Sequence, residues 1–161
     1  MFRKVTIATG GLYLHSMPGR FESWDEFQSN CNNNKIDRIL CLTSMLEINA
    51  KSPDYAVAIE QQSLCCTIDI YPIKDFSTPE DLQQFSTALQ LCAQRLQSGE
   101  NLLIHCAAGI GRTGSSAICL LIKLGYSLTD ATALVTAAGS APETRGQKSF
   151  VASYAQQGSV E

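Results

Sequence analysis

The chain has 161 residues, with 12 Lys+Arg against 15 Asp+Glu, a net charge of −3 and 45% hydrophobic content. A chain of this size buries roughly 70% of the surface that its unfolded form exposes, so a single domain over residues 1–161 with an ordinary core is expected and a disordered tail is excluded. A mildly acidic chain without a basic cluster points away from nucleic acid, and the longest apolar run, Ala117 to Ile122, is far too short to span a bilayer.

The first residues, Met1-Phe2-Arg3-Lys4, are not followed by the apolar stretch of a signal peptide. Seven scattered cysteines with no Cys-x-x-Cys pair read as reduced thiols in a cytoplasmic compartment. Cys65-Cys66 reads as ordinary strand sequence, and no His, Cys or carboxylate set has the spacing of a zinc site, so neither metal nor cofactor is expected.

In chain order, residues 5–7 and 12–14 read as short strands parted by Gly10-Gly11. Ser23 with Glu26 three residues on is a capping-box signal for a helix over 24–30, which the Asn32–Asn34 run ends. Residues 36–42 read as a buried strand, and residues 42–47 as the loop at its end. Ser52-Pro53-Asp54 reads as N-cap, first helical position and acidic first turn of a helix to about Gln61. Leu64, Cys66, Ile68 and Ile70 alternate with Cys65, Thr67 and Asp69, which is strand periodicity. After Thr78-Pro79-Glu80-Asp81, the apolar positions Leu82, Phe85, Leu89, Cys92 and Leu96 form one helical stripe that Gly99 closes. Residues 101–105 read as an apolar strand and residues 113–124 as a helix apolar on nearly all sides. Ser127 and Asp130 cap a helix that stops at Gly139, and a last helix is expected over 143–156. Strands alternating with helices predict an α/β fold with a central, mostly parallel sheet flanked by helices.

One segment carries chemistry: His105-Cys106-Ala107-Ala108-Gly109-Ile110-Gly111-Arg112-Thr113-Gly114, set between an apolar strand and a buried helix. A helix N-terminus presents unpaired N–H groups and a positive dipole end, which together suit a phosphate-sized anion. Gly109 and Gly111 are expected to take positive φ, so that the N–H groups of residues 107–112 (Ala107, Ala108, Gly109, Ile110, Gly111 and Arg112) point into one cradle. The planar fork of Arg112 closes it. Cys106 sits at its base. A free thiol is mostly protonated at neutral pH, but helix N-termini and adjacent cations favour the thiolate, so the field that binds phosphate is expected to make the nucleophile and leave it sensitive to oxidants. The Thr113 hydroxyl is placed to donate to that sulfur when it leaves.

This run resembles the signature of the cysteine-dependent protein tyrosine phosphatase superfamily: His-Cys, five residues, Arg-Ser/Thr, with Gly at the same interior places. The resemblance implies a phosphotyrosine phosphatase-like fold and hydrolysis through a phosphocysteine intermediate. Tyr71-Pro72-Ile73-Lys74-Asp75 resembles the general-acid loop of the small dual-specificity-like phosphatases, which makes Asp75 the expected proton donor. The rival, Asp69, lies in β-alternating sequence and reads as anchored. Glu143-Thr144-Arg145-Gly146-Gln147 resembles the segment in which a Gln orients the hydrolytic water, here Gln147, and Glu47 matches the carboxylate that steadies the cradle Arg. His105 reads as structural, Trp24 as a core anchor, and His15 and Arg20 as surface turn residues at the cleft edge. Two departures stand out. Many relatives carry Arg before the Glu/Thr/Gln run, where this chain reads Thr136-Ala137-Ala138-Gly139-Ser140-Ala141, and Ala107, Ala108 and Ile110 lack the Lys that inositide-directed relatives often have.

The expected enzyme is a metal-independent, monomeric phosphatase of phosphoproteins (phosphotyrosine, with phosphoserine and phosphothreonine as further substrates) or of a small phosphomonoester, with no nucleic-acid or membrane partner. The alternatives are an inositol phosphate or phosphoinositide phosphatase, a catalytically silent phosphate-binding module on the same fold, and a sulfur-transfer or arsenate-reducing enzyme. Arg112-Thr113-Gly114 and the lack of a paired resolving cysteine speak against the last.

Overall fold

The computed structural model describes residues 1–158; Ser159, Val160 and Glu161, part of the domain expected over residues 1–161, lie outside the described residues. The strands are β1 (Arg3–Val5), β2 (Gly11–His15), β3 (Arg38–Cys41), β4 (Thr67–Ile70) and β5 (Asn101–His105), and they form one sheet in the order β1-β2-β5-β3-β4. β1 pairs antiparallel with β2, and every other pairing is parallel. Parallel neighbours need crossovers, which helices supply: α2 (Met45–Lys51) and α3 (Pro53–Glu60) join β3 to β4, and α4 (Leu82–Gln97) joins β4 to β5. α1 (Trp24–Asn33), α5 (Gly111–Lys123), α6 (Leu128–Ala137) and α7 (Arg145–Gly158) complete the chain. This is the α/β architecture expected.

The period-two geometry of a strand sends its residues to two cores. Leu102 and Ile104 of β5 join a cluster with Phe85, Leu89, Ile118 and Val135 of the helices on one face, while Leu103 joins Phe27, Ile48 and Tyr55 on the other. Trp24 stacks on Phe27 at 5.1 Å in that second core, as an anchor. β5 is thus central and covered on both faces, and Cys106 follows its last residue at the carboxyl edge of the sheet, where open α/β sheets hold their ligands.

Several boundaries differ from expectation, each for a physical reason. The first strand is residues 3–5, not 5–7, because the register pairs Arg3 with Leu14 and Val5 with Leu12, leaving residues 6–10 as the connection. The loop expected over 42–47 gives way at Met45 to helix α2: the Ser44 Oγ accepts from the Glu47 N–H at 3.2 Å, a Ser-x-x-Glu cap of the kind that starts α1 at Ser23. Ser52 holds the N-cap position before Pro53 of α3, as expected, but its hydroxyl makes no capping bond and donates instead to the Pro18 carbonyl at 2.7 Å. β4 begins at Thr67, so Cys65 and Cys66 fall outside the strand and turn toward Cys31. Leu82 is 37% exposed, and the buried stripe of α4 runs from Phe85 to Leu96. α5 begins at Gly111, which puts Arg112 and Thr113 in its first turn. α7 begins at Arg145 because the Glu143 and Thr144 N–H groups are taken by the Gln147 side chain. Among the described residues no helix is long and apolar enough to cross a membrane.

Candidate active site

The Cys106 sulfur is buried and accepts two hydrogen bonds, from the Gly109 N–H at 3.3 Å and from the Thr113 hydroxyl at 3.0 Å. The loop can fold this tightly only with glycine at position 109. Its φ is +77°, and a Cβ there would lie 2.5 Å from the His15 carbonyl oxygen. Gly111 differs from expectation: it is not left-handed but opens the helix, where a Cβ would crowd the ends of two side chains, Glu143 Oε1 at 2.8 Å and Gln147 Oε1 at 3.0 Å. His15, read as a surface residue, is buried at the end of β2, its Nε2 bonded to Glu22 at 2.6 Å. His105 is fully buried between the Tyr55 hydroxyl, 2.8 Å from Nε2, and the Cys106 carbonyl, 3.0 Å from Nδ1. A carbonyl oxygen only accepts, so Nδ1 carries the proton given to the loop, while burial keeps Tyr55 a phenol, its pKa pushed well above the ordinary value.

Arg112 is 2% exposed, and nearly all its donors are assigned. Nη1 donates to Glu47 Oε2 at 3.0 Å and to the Ile73 carbonyl at 2.9 Å, while Nη2 donates to Glu47 Oε1 at 2.9 Å and lies 3.2 Å from Asp75 Oδ1. Nε alone is buried with no protein partner. A buried, unmatched guanidinium N–H is costly unless something occupies it, and an oxyanion bonded to Nε and Nη2 is the fork's natural ligand. Burial is the largest single influence and opposes the Arg112 charge, but the hydrogen bonds to Glu47 and the electrostatic pull of Cys106, Glu47 and Asp75 together outweigh it and raise the pKa of the guanidinium. The Arg112 guanidinium in turn holds the Glu47 carboxyl below the usual carboxylate range, against a smaller opposing effect of burial.

A depressed carboxylate contributes stability that is fully present above its ordinary pKa and is lost as pH falls through its lowered folded value. Oxyanion binding is therefore expected to hold down through the ordinary carboxylate range and to fail only below it, whereas the stability contribution declines progressively from the ordinary carboxylate pKa down to the lowered one. In Glu47→Gln that acid transition should disappear, leaving weaker orthovanadate binding at all pH values; pH-resolved vanadate titration and denaturation measure both.

Cys106, Ala107, Ala108, Gly111 and Arg112 line a cavity of about 220 Å³, with Asp75 and Phe76 on one side, Glu143 and Gln147 on another, and Arg20 and Lys51 at the edge. The side chain of Ile110 does not reach it; 41% exposed, it lines a neighbouring hollow with Phe21. Asp75 is half-exposed and closed onto Arg112, and its Oδ1 also accepts from the Phe76 N–H at 3.0 Å. Phe76 has φ +59°, a left-handed conformation that costs roughly 1–2 kcal/mol for a side-chain-bearing residue. Two bonds hold this turn: the Thr144 hydroxyl donates to the Phe76 carbonyl at 3.4 Å, and Gln147 Nε2 donates to the Ser77 carbonyl at 3.2 Å. Gln147 is fully buried, with its Oε1 accepting from the Glu143 and Thr144 N–H groups at 2.7 and 3.3 Å. It therefore staples the Asp75 loop to the start of α7, and one Nε2 proton is left for a water. Asp69 stands apart in β4, bonded to Arg38 at 2.7 Å.

Arg3 and Ser140 escaped the sequence reading. Arg3 Nη2 donates to the Gly109 carbonyl at 2.6 Å, and so does the Ser140 hydroxyl at 2.6 Å; Arg3 Nη1 bonds Ser140 Oγ and the Ala138 carbonyl at 2.9 and 3.0 Å. A peptide is planar, with its C=O and N–H opposed, so tying the Gly109 carbonyl outward turns the Ile110 N–H the other way. Arg3 thus brings a guanidinium to the segment 136–141, which has no Arg of its own. Only the antiparallel β1–β2 pairing, across 106 residues of chain from Gly109, could have pointed to it. Arg3→Ala is expected to cost about 1.5 kcal/mol of stability, the low end for a hydrogen bond to a charged group, and to weaken vanadate binding, with Arg3→Lys restoring part of both. Urea denaturation and vanadate titration check this.

A cysteine after the central parallel strand, a loop pinned by glycine, and an arginine in the first turn of the next helix define the cysteine-based protein tyrosine phosphatase superfamily, in its small dual-specificity-like form. The chain belongs to the Tc-R-P family, described as "Polymorphic toxin system, DSP-PTPase phosphatase", whose sequence model matches residues 15–126. It is 41% identical over 54 residues to "Putative tyrosine phosphatase 067L" of Invertebrate iridescent virus 3, a match that spans 32% of this chain and 22% of that protein's length. Among solved structures, kinase associated phosphatase with its catalytic cysteine replaced by serine superposes with a TM-score of 0.78 at 20% identity, covering 94% of this chain and 89% of that one. Tk-PTP, in a glycine-to-alanine mutant form, gives 0.74 at 24% identity over 98% and 97% of the two chains. PTPMT1 in complex with PI(5)P gives 0.74 at 11% identity over 92% of each. These three likenesses are of fold.

Proposed function

We propose that this phosphatase hydrolyses phosphotyrosine, and phosphoserine or phosphothreonine more slowly, through a covalent phosphocysteine on Cys106, as a monomer whose reaction uses no metal or cofactor, in a cytoplasmic, reducing compartment. The observation that carries this reading is the pairing of a doubly hydrogen-bonded Cys106 sulfur with a buried, partnerless Arg112 Nε in one cavity. In the proposed cycle the phosphate dianion docks on the N–H groups of residues 107–112 and on Arg112. The Cys106 sulfur forms a bond to phosphorus as the bond to the leaving oxygen breaks, and Asp75 gives that oxygen its proton. Water then attacks phosphorus, Asp75 takes the water's proton, and the S–P bond breaks with its electron pair on a sulfur that Thr113 stabilises. Gln147 holds the Asp75 loop in place and offers its remaining Nε2 proton to the water. The cradle N–H groups and Arg112 supply the charge stabilisation.

The uncharged Ala107 and Ala108 and the exposed Phe76 beside Asp75 favour an aromatic phosphomonoester. A second reading, a phosphoinositide or inositol phosphate as substrate, draws support from Arg20 and Lys51, which add positive charge at the same cavity from outside the loop. Phosphate release from phosphotyrosine peptides, phosphoserine peptides and inositol phosphates separates the two. Fastest release from phosphotyrosine peptides supports the first, a preference for inositol phosphates that is lost in Arg20→Ala and Lys51→Ala supports the second, and no turnover of any of them leaves the silent binding module.

A further inference from the structure

Three thiols outside the phosphatase machinery meet at the other end of the sheet. Cys31 lies in the last turn of α1, and Cys65 and Cys66 lie on the irregular segment that enters β4. All three sulfurs lie within 4.8 Å of one another, and those of Cys31 and Cys65 are 3.0 Å apart. Cys66 precedes Thr67, which is level with Arg38 at the start of β3, whereas Cys106 follows His105, which is level with Cys41 at its end. The length of β3, about 10 Å at strand rise, therefore stands between the cluster and the cradle. Core packing places two of them, since Cys31 is buried in the second core and Cys66 packs against it, but it does not account for Cys65, which is exposed and still turns its sulfur toward Cys31.

We propose that Cys31, Cys65 and Cys66 form a binding site for a thiophilic divalent cation, zinc, held by three thiolates. Tetrahedral zinc with Zn–S bonds of about 2.3 Å sets its sulfurs about 3.8 Å apart. The observed sulfurs bracket that spacing, between 3.0 Å and an upper bound of 4.8 Å. The needed adjustment falls on Cys65, on a segment with no ladder bonds to break. No other His, Asp or Glu among the described residues joins the group, so a water completes the tetrahedron. Thiolates select zinc or copper(I) over magnesium or calcium. Binding the ion would displace the thiol protons. The ion would clamp the end of α1 to the entry of β4 without touching the reaction.

The test uses the full chain carrying Cys106→Ser, so that the active-site thiol cannot compete. The reduced protein is titrated with zinc against a chromophoric chelator, and with cobalt(II) as a spectroscopic probe. About one equivalent of zinc, an intense thiolate-to-cobalt absorption and a zinc-dependent rise in Tm are expected. Cys65→Ser and Cys66→Ser, changes at accessible positions, should each abolish all three, whereas Cys92→Ala in the opposite core should retain them. The proposal is overturned if the reduced chain takes up no stoichiometric zinc, or if uptake persists in both Cys65→Ser and Cys66→Ser. It is overturned equally if mass spectrometry finds Cys31 and Cys65 joined in a disulfide that reductant does not open. None of these outcomes bears on phosphatase activity, which stands or falls separately.

Discussion

Cys106→Ser should abolish turnover of para-nitrophenyl phosphate, by a factor on the order of 10⁶ if removal of this nucleophile matches the cost seen in other covalent enzymes, while leaving vanadate and phosphate binding largely intact. The reasoning separates the two functions of the site. Binding rests on the backbone N–H groups of residues 107–112 and on Arg112, whose bonds to Glu47 and the Ile73 carbonyl do not involve the sulfur. Chemistry rests on a sulfur that accepts from Gly109 and Thr113 and is ready to act as an anion; a hydroxyl in the same place keeps its proton. Calorimetric vanadate titration beside a steady-state assay gives both halves. Retained turnover would remove Cys106 from the nucleophile's role, and loss of both properties together would mean that the sulfur holds the loop.

Asp75→Ala should cost ~10²–10⁴ in kcat, the usual range for losing a positioned proton donor. The loss should grow as the leaving group worsens, small for para-nitrophenolate and large for an alkyl phosphate, because only a poor leaving group needs the proton. The basic limb of the kcat profile, where the acid has lost its proton, should flatten. Asp75 stands 3.2 Å from Arg112 Nη2 in the closed loop, so it lies at the edge of the position where phosphate would bind. Thr144→Ala tests the staple that holds this loop through the Phe76 carbonyl, and it should reproduce a fraction of the Asp75 effect without changing the shape of the pH profile. A leaving-group series measured on Asp75→Ala decides the assignment; an unchanged dependence would return attention to the loop's other residues, since Asp69 is bound to Arg38 in β4.

Elements whose partners are close in the chain were legible in the residues. Ser23 with Glu26, Ser127 with Asp130 and the buried stripe of α4 are local patterns, and they fold as read. The helix at 45–51 carries the same Ser-x-x-Glu signal, at Ser44 and Glu47, inside a segment that reads as the loop after a strand. Register and edges were less legible. Residues 64–66 alternate like a strand, yet pairing with β3 begins only at Thr67, and nothing in the alternation marks where a partner strand starts.

The phosphatase site divides the same way. The run from His105 to Gly114 determined the strand, the pinned turn, the helix start, and so the family, because the bonds that close it on the Cys106 sulfur, from Gly109 and Thr113, span seven residues or fewer. Tertiary structure decided how that turn is supported, and of those supports the family resemblance names Glu47 alone. Glu47 reaches Arg112 across 65 residues, Arg3 reaches Gly109 across 106, and Gln147 reaches Ser77 across 70. The same holds for the three thiols, with Cys31 and Cys65 separated by 34 residues. A hydrogen bond or an S···S contact depends on distance in space, and a one-dimensional pattern encodes that distance only when the intervening chain is short enough to be a single turn of structure.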